Sequence, residues 1–341
     1  MQSVTLFNNK GGVGKTTLAC NIAAHLSADY GSTVLLIDLD PQCNATQLLF
    51  DENTWEDIYG DHKTSSQRTI LKALARIREG DSSVVTDLEV RKSPRFDIDV
   101  VPGHPNLAAV EDRLSASWVD FTSGDLGGAR RSLWVRSLMK DMEYDYIILD
   151  VGPSLGALNR TVLAGSDAFV TPMAADMFSL YALENIGSWL TTWGPQYQRA
   201  RIALQENTQD IAGVAQVPEQ LPIFSGYLGY TVQQYVTKTS GDTRRSINAY
   251  EKHRQEIPER VSALRPYTGL SVEELDIGLV PNMFSMVPLA QAAHAPIRNL
   301  TNSDGIRGAQ VSQRARYVEI LKKIVSNLVR NADSIKAGHD F

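Results

Sequence analysis

Ten residues constrain this chain more than any other stretch: Asn8-Asn9-Lys10-Gly11-Gly12-Val13-Gly14-Lys15-Thr16-Thr17. They follow a β-rich run that begins at Val4 and lead into an amphipathic stretch from Lys15 to Asp29. Strand, glycine-rich bend and helix in that order make a seat for phosphate. The glycines let the backbone curl until several N–H groups converge, and the helix N-terminus adds partial positive charge at the same point. Lys15 can then reach the outer phosphates, and the Thr16 hydroxyl can complete a Mg²⁺ shell. The common form of such a loop, GxxxxGK[ST], is not met, because position 9 is asparagine. The bland alternative is a flexible glycine turn, and the strand and helix on either side argue against it.

The rest of the chain keeps the same rhythm. Strands are expected at Val4 to Asn8, Thr33 to Asp38, Phe96 to Val101, Tyr146 to Asp150, Ala168 to Pro172 and Ile277 to Pro281. Continuous apolar runs such as Val34-Leu-Leu-Ile are what strands buried on both faces require. Helices are expected at Lys15 to Asp29, Leu180 to Thr192 and Ser312 to Ala332. The fold class is therefore α/β, a mostly parallel twisted sheet flanked by helices. Two stretches fit poorly, Asp51 to Pro94 and residues 196–274. The second reads as an elaboration with a strand near Phe224 to Leu228 and a mainly helical insertion from about Tyr230 to Ser262. With 341 residues and no internal repeat, one domain spanning 1–341 is expected rather than two. Only Cys20 and Cys43 occur, in no CxxC pair, so a disulfide scaffold or a cysteine-held metal cluster lacks ligands. No apolar run approaches the ~18 residues of a membrane span, and the start of the chain shows no basic, cleavable leader. A cytoplasmic protein is expected.

Four segments together resemble the ParA/MinD-type P-loop ATPases. Lys10 to Thr17, KGGVGKTT, is that family's deviant Walker A motif. Asp38-Leu-Asp40-Pro41-Gln42-Cys43-Asn44 is similar to its switch I, with Cys43 where glycine is usual. Tyr146-Ile-Ile-Leu-Asp150-Val-Gly152-Pro153 resembles its Walker B strand running into switch II, and Phe169 to Leu183 the strand and helix that follow. Order and spacing resemble the ParA branch most, over residues 1 to about 190.

The resemblance implies a P-loop NTPase fold and hydrolysis of ATP with Mg²⁺, slow and stimulated by a partner. Lys15 and the loop Gly11, Gly12, Val13, Gly14, Thr16 and Thr17 would hold the phosphates, and Thr16, Asp38 and Asp150 would serve the metal. Asp40 would orient the attacking water. Gly152 would offer its N–H to the γ-phosphate, and Pro153 would stiffen that switch. Lys10 would cross a homodimer interface formed on ATP binding and contact phosphate in the other subunit, as an arginine finger does; a solvated loop lysine is the bland alternative. Asn282, after the strand ending at Pro281, matches a residue that reads the adenine edge, although a strand-end turn is nearly as good a reading. Cys43 reads as a small residue tolerated at a glycine position.

Several outputs of such a cycle stay open. In DNA partition or cargo positioning, an ATP-bound dimer binds DNA without sequence preference, and a ParB-like or other adaptor stimulates hydrolysis. The protein would then associate with the nucleoid. Arg244, Arg245, Lys252, Arg298, Arg314 and Arg316 belong to basic clusters that could neutralise phosphates; a solvated helix face explains each cluster equally well. The net charge of −6, from 33 basic and 39 acidic residues, confines any such contact to a local patch. Since the first strand begins by residue 4, an added operator-reading domain ahead of the loop is not expected. A MinD-like membrane-positioning ATPase would use a C-terminal amphipathic helix. The stripe Tyr317, Leu321, Ile324, Val325, Leu328 suits core packing better, so a membrane partner is not expected. The remaining alternative is a nucleotide-switched regulator that acts on a protein partner.

Overall fold

The computed structural model describes residues 1–208, 217–234 and 243–339. Its centre is an eight-stranded sheet in the order β3-β4-β2-β5-β1-β6-β7-β8. The strands are β1 (Gln2–Leu6), β2 (Val34–Asp38), β3 (Arg91–Ser93), β4 (Ile98–Val101), β5 (Tyr146–Asp150), β6 (Ala168–Ala174), β7 (Tyr227–Gln233) and β8 (Asp276–Val280). Every pair is parallel except the β3–β4 edge. β2 is buried along its whole length and β5 on all but its first residue, as strands covered by helices on both faces must be.

Register decides where the chemistry falls. Leu6 and Asp38 both stand opposite Asp150, so β1, β2 and β5 end level at one edge of the sheet. The phosphate loop leaves β1 at that edge. In open α/β sheets, ligands sit outside the carboxyl ends of the strands. The helix Lys15–Tyr30 follows, burying Leu18, Ile22 and Leu26. It stops at Gly31, whose φ of 65° lets its N–H reach back to the Leu26 and Ser27 carbonyls.

The structure departs from the sequence expectations mainly in the second half. Tyr230 lies within β7 rather than at the start of a helix, and the helical segment begins at Thr243. Thus 196–274 carries a sheet strand, paired to β6 and β8, besides its helical elaboration. The helix expected over Leu180 to Thr192 extends to Met177–Asn207 and absorbs Pro195. The C-terminal helix Ala309–His339 buries Tyr317, Leu321, Ile324, Val325 and Leu328 against β8 and the helix Lys15–Tyr30. That stripe is core. No helix among the described residues is long and apolar enough to cross a membrane.

Candidate functional site

The helix after the phosphate loop begins without any anion of its own. Its N-cap is Gly14, at φ 74°, with no side-chain cap and no acidic residue in the first turn. The first N–H groups are left for a ligand, and the partial positive charge of the helix end is not neutralised. A side chain at position 14 would be strained, and its Cβ would lie 2.6 Å from Gln233 Nε2 at the end of β7. Lys15 is 7% exposed. Burial lowers its pKa, opposed by the nearby carboxylates of Asp150 and Asp40, and its Nζ donates to the Lys10 carbonyl at 3.3 Å. A cleft of about 510 Å³ opens over Gly11, Gly12, Val13, Gly14, Lys15, Thr16 and Thr17, with Asp40 and Pro153 on its wall. A second, of about 500 Å³, shares Gly12, Gly14 and Thr17 and runs to Pro281, Asn282, Met283 and Phe284. Loop and strand-end turn thus border adjoining clefts that share Gly12, Gly14 and Thr17.

Asn282 makes the strand-end turn that its sequence position suggested, at the rim of a cleft. It lines the second cleft, while its Oδ1 accepts from Phe284 N at 2.9 Å and so caps the turn.

Two buried carboxylates close the inner end. Asp38 is fully bonded within the chain: Oδ2 accepts from Thr46 N at 2.8 Å and Thr46 Oγ1 at 2.6 Å, and Oδ1 from Asp40 N at 3.2 Å. Burial nevertheless pushes its pKa up to about 6. Asp150 is equally buried, yet neither oxygen has a hydrogen-bond partner. Burial first, then the charge of Asp38, raises it well above the carboxylate range, while the Thr16 hydroxyl and Lys15 act in the opposite direction. A native fold rarely leaves such a group orphaned without a use. One orphaned carboxylate near a threonine hydroxyl suits Mg²⁺, which keeps waters and takes phosphate oxygens for the rest of its shell. Among the described residues no three acidic, histidine or cysteine side chains form a self-sufficient metal cage.

Asp40 is 5% exposed and accepts from Gln42 N at 2.9 Å. It packs on Gly152, where a Cβ would come within 3.1 Å of Asp40 Oδ1. Lys10 points elsewhere: its Nζ binds the Asp176 carboxylate and lies 3.3 Å from Ser179 Oγ. Burial works against the charge on Asp176, but Lys10 and the Ser179 N–H region hold its pKa below the usual value.

A family model described as an AAA domain, AAA_31, matches residues 1–200. The chain belongs to that family, on its ParA side. It is 34% identical over 189 residues to the sporulation initiation inhibitor protein Soj of Bacillus subtilis, covering 55% of this chain and 63% of that protein. It is 34% identical over 179 residues to the cell division protein PomZ of Myxococcus xanthus, 52% and 47% of the two chains. The match therefore spans only about half to under two thirds of these relatives. Among solved structures, protein DIP2308 from Corynebacterium diphtheriae superposes with a TM-score of 0.70 at 35% identity, over 86% of this chain and 97% of that one. A putative plasmid partition protein from Borrelia burgdorferi, bound to AMPPNP, shares the fold at TM-score 0.56 and 16% identity, covering 96% and 98%.

Of the basic residues singled out for DNA contact, the side chains of four are described. Arg298 is tied to Asp29 at 2.9 Å and His25 at 3.0 Å, and Arg314 donates to the Leu300 carbonyl. Arg316 and Lys252 are exposed, the latter 4.0 Å from Glu256. Arg244 and Arg245 fall on the helix Thr243–Val261, with side chains outside the described residues. Conversely, sequence reasoning missed Thr46 and Asp176. Thr46 stands eight positions after the Asp38 it serves, two past the quoted switch motif. Asp176 lies 166 residues from Lys10, and no spacing rule connects them.

Proposed function

We propose that the protein hydrolyses ATP with Mg²⁺, dimerises in the ATP state, and uses that cycle in DNA partition or cargo positioning. The observation that carries the nucleotide chemistry is Asp150: a buried carboxylate with no partner, at the strand end beside the phosphate loop. The partition reading is supported by relatives named as chromosome-partitioning proteins. Bound Mg²⁺ would supply charge neutralisation on the phosphates, with Thr16 and Asp150 as its seats and Asp38 serving the shell. Lys15 and the N–H groups of Gly11 to Thr17 bind the phosphates. Asp40, held by Gln42 N and pressed on Gly152, would orient the attacking water, and Gly152 and Pro153 would form the switch beside it.

Lys10 would act in trans, on a second subunit's phosphates, only after leaving Asp176. That pair is partly exposed, so the exchange costs little, within about 1 kcal/mol. The chain works as one unit in this reading, with 196–274 as its elaboration. A ParB-like or other adaptor that stimulates turnover belongs to the same proposal, as do a cytoplasmic location and nucleoid association.

The test is DNA binding by Asp40→Ala protein with Mg-ATP and with Mg-ADP, at two salt concentrations. Salt-sensitive binding in the ATP state alone, without sequence preference, is expected. If an ATP dimer forms but ignores DNA in both nucleotide states, the partition reading falls and the output lies in a protein partner.

A further inference from the structure

The helix Ala157–Gly165, which follows the switch at Gly152 and Pro153, differs at its N-terminus from the helix after the phosphate loop. It too has a glycine N-cap, Gly156, and no side-chain cap of its own. Here the free N–H groups are taken by a carboxylate from a distant element. Glu111 Oε1 accepts from Ala157 N, and Glu111 Oε2 from Leu158 N at 2.9 Å. A Cβ at position 156 would lie against that carboxylate and push it aside. On the other side of the loop, Asn159 is 3% exposed and spends both amide hydrogens on it. Its Nδ2 donates to the Gly152 carbonyl at 2.8 Å and to the Ser154 carbonyl at 2.7 Å. The loop also closes on itself, through Ser154 N to Gly152 O at 3.0 Å and Gly156 N to Ser154 Oγ at 2.9 Å.

We propose that Glu111 and Asn159 are positioning residues that fix the Gly152–Gly156 segment against Asp40. Neither side chain lines the phosphate cleft. Asn159 holds the carbonyl of Gly152, the residue Asp40 packs against, and Glu111 holds the far end of the segment at the helix N-terminus. The attachment reaches further. Glu111 opens the helix Glu111–Thr122, where the Trp118 ring lies 4.5 Å from the Arg160 guanidinium of the switch helix. Trp118 Nε1 donates to Gln196 Oε1 at 3.1 Å. Gln196 belongs to the helix Met177–Asn207, capped by Asp176, the residue that holds Lys10. The switch loop and the Lys10 anchor are therefore joined through one packed path.

This inference rests on the ATPase reading for its kinetic arm and stands apart from it in a second arm. In Glu111→Gln, one of the two acceptor oxygens becomes a donor facing an N–H. A displaced switch leaves the phosphate loop intact, so kcat is expected to fall roughly 10- to 100-fold with KM and nucleotide affinity within about twofold. Hydrogen exchange, followed on the nucleotide-free protein, should speed up for a peptide covering 152–158 and stay unchanged in β1 and β5. Asn159→Asp should lower kcat more than Asn159→Ala, because it sets carboxylate oxygens against two carbonyl oxygens. Wild-type kcat and wild-type exchange at 152–158 in Glu111→Gln overturn the proposal. A general loss of protection in that variant, combined with wild-type turnover by Asn159→Ser, overturns it too. If the wild-type protein shows no turnover at all, the ATPase reading fails, and the exchange arm still decides the positioning role.

Discussion

The ends of β2 and β5 lie side by side and carry the same residue, yet the chain treats them in opposite ways. After β2 the backbone turns back at once, and Thr46 and Asp40 bring three donors onto Asp38. After β5 it runs away through Val151 and Gly152, and Asp150 receives none. Both carboxylates are fully buried. Burying an unpaired charge costs far more than burying a bonded one, so the Asp38 end is built to hold its own loop. The Asp150 end is left open for the metal of the proposed cycle. In the proposed cycle Asp150 would hold the metal, and Asp38 would serve its shell while its oxygens also fix Thr46 and Asp40.

The largest expected effect comes from Asp150→Asn. The gain in ATP-analogue affinity that Mg²⁺ provides should shrink on the order of 10- to 100-fold, as for disturbed metal ligation generally. The nucleotide-free protein should at the same time gain about 1 kcal/mol, because the cost of keeping an ionisable carboxyl buried at this strand end is removed. Titration calorimetry with and without Mg²⁺ checks the first part, and urea unfolding the second. A variant that unfolds more easily would erase the contrast between the two strand ends.

Asp38→Asn should do the reverse. Its amide can present only one acceptor to donors on two sides, so the nucleotide-free protein should lose about 2 kcal/mol. The loss should depend on pH. Burial raises the Asp38 pKa to about 6, so the native state keeps a proton that the unfolded chain releases near pH 4. Its contribution to stability is therefore full below about pH 4 and declines as pH rises to about 6. The deficit of Asp38→Asn should accordingly be larger at pH 4.5 than at pH 6.5, by about 1–2 kcal/mol. A deficit that grows with pH would mean the donors of Thr46 and Asp40 outweigh burial.

What the sequence reveals of this arrangement follows the range of the interactions. The shared sheet edge of Asp38, Asp40, Asp150 and the loop from Lys10 to Thr17 is legible because each sits within a few residues of a strand end. Tyr146 to Asp150 was bounded correctly since its apolar run is buried by helices on both faces. β7 was misplaced: Tyr227-Leu-Gly-Tyr-Thr-Val-Gln mixes polar and apolar residues without clean alternation, and its place between β6 and β8 is a property of the sheet. β3 is three residues long and polar, leaving no pattern to read. Glu111 and Asp176 were invisible for a different reason. Each completes a partner 46 or 166 positions away, and only the folded chain brings them together.

The smallest expected effect tests how switch I is bent onto Asp38. Cys43 sits at φ 52° and ψ 33°, as N-cap of the helix Asn44–Leu49 that carries Thr46. The left-handed conformation costs a residue with a Cβ roughly 1–2 kcal/mol. Glycine would remove that strain. It would also free the unfolded chain by about 0.5–1 kcal/mol, and would give up the packing of a buried sulfur that lies 3.7 Å from the Pro41 carbonyl. These terms nearly cancel, so Cys43→Gly should shift the unfolding free energy by less than about 0.5 kcal/mol. Cys43→Val keeps the packing and worsens the strain, since a β-branched side chain fits this region poorly; a loss of about 2 kcal/mol is expected. If valine proved as harmless as glycine, the bend at position 43 would be set by its surroundings rather than by its own backbone. The donors on Asp38 would then owe their place to the packing of Thr46 alone.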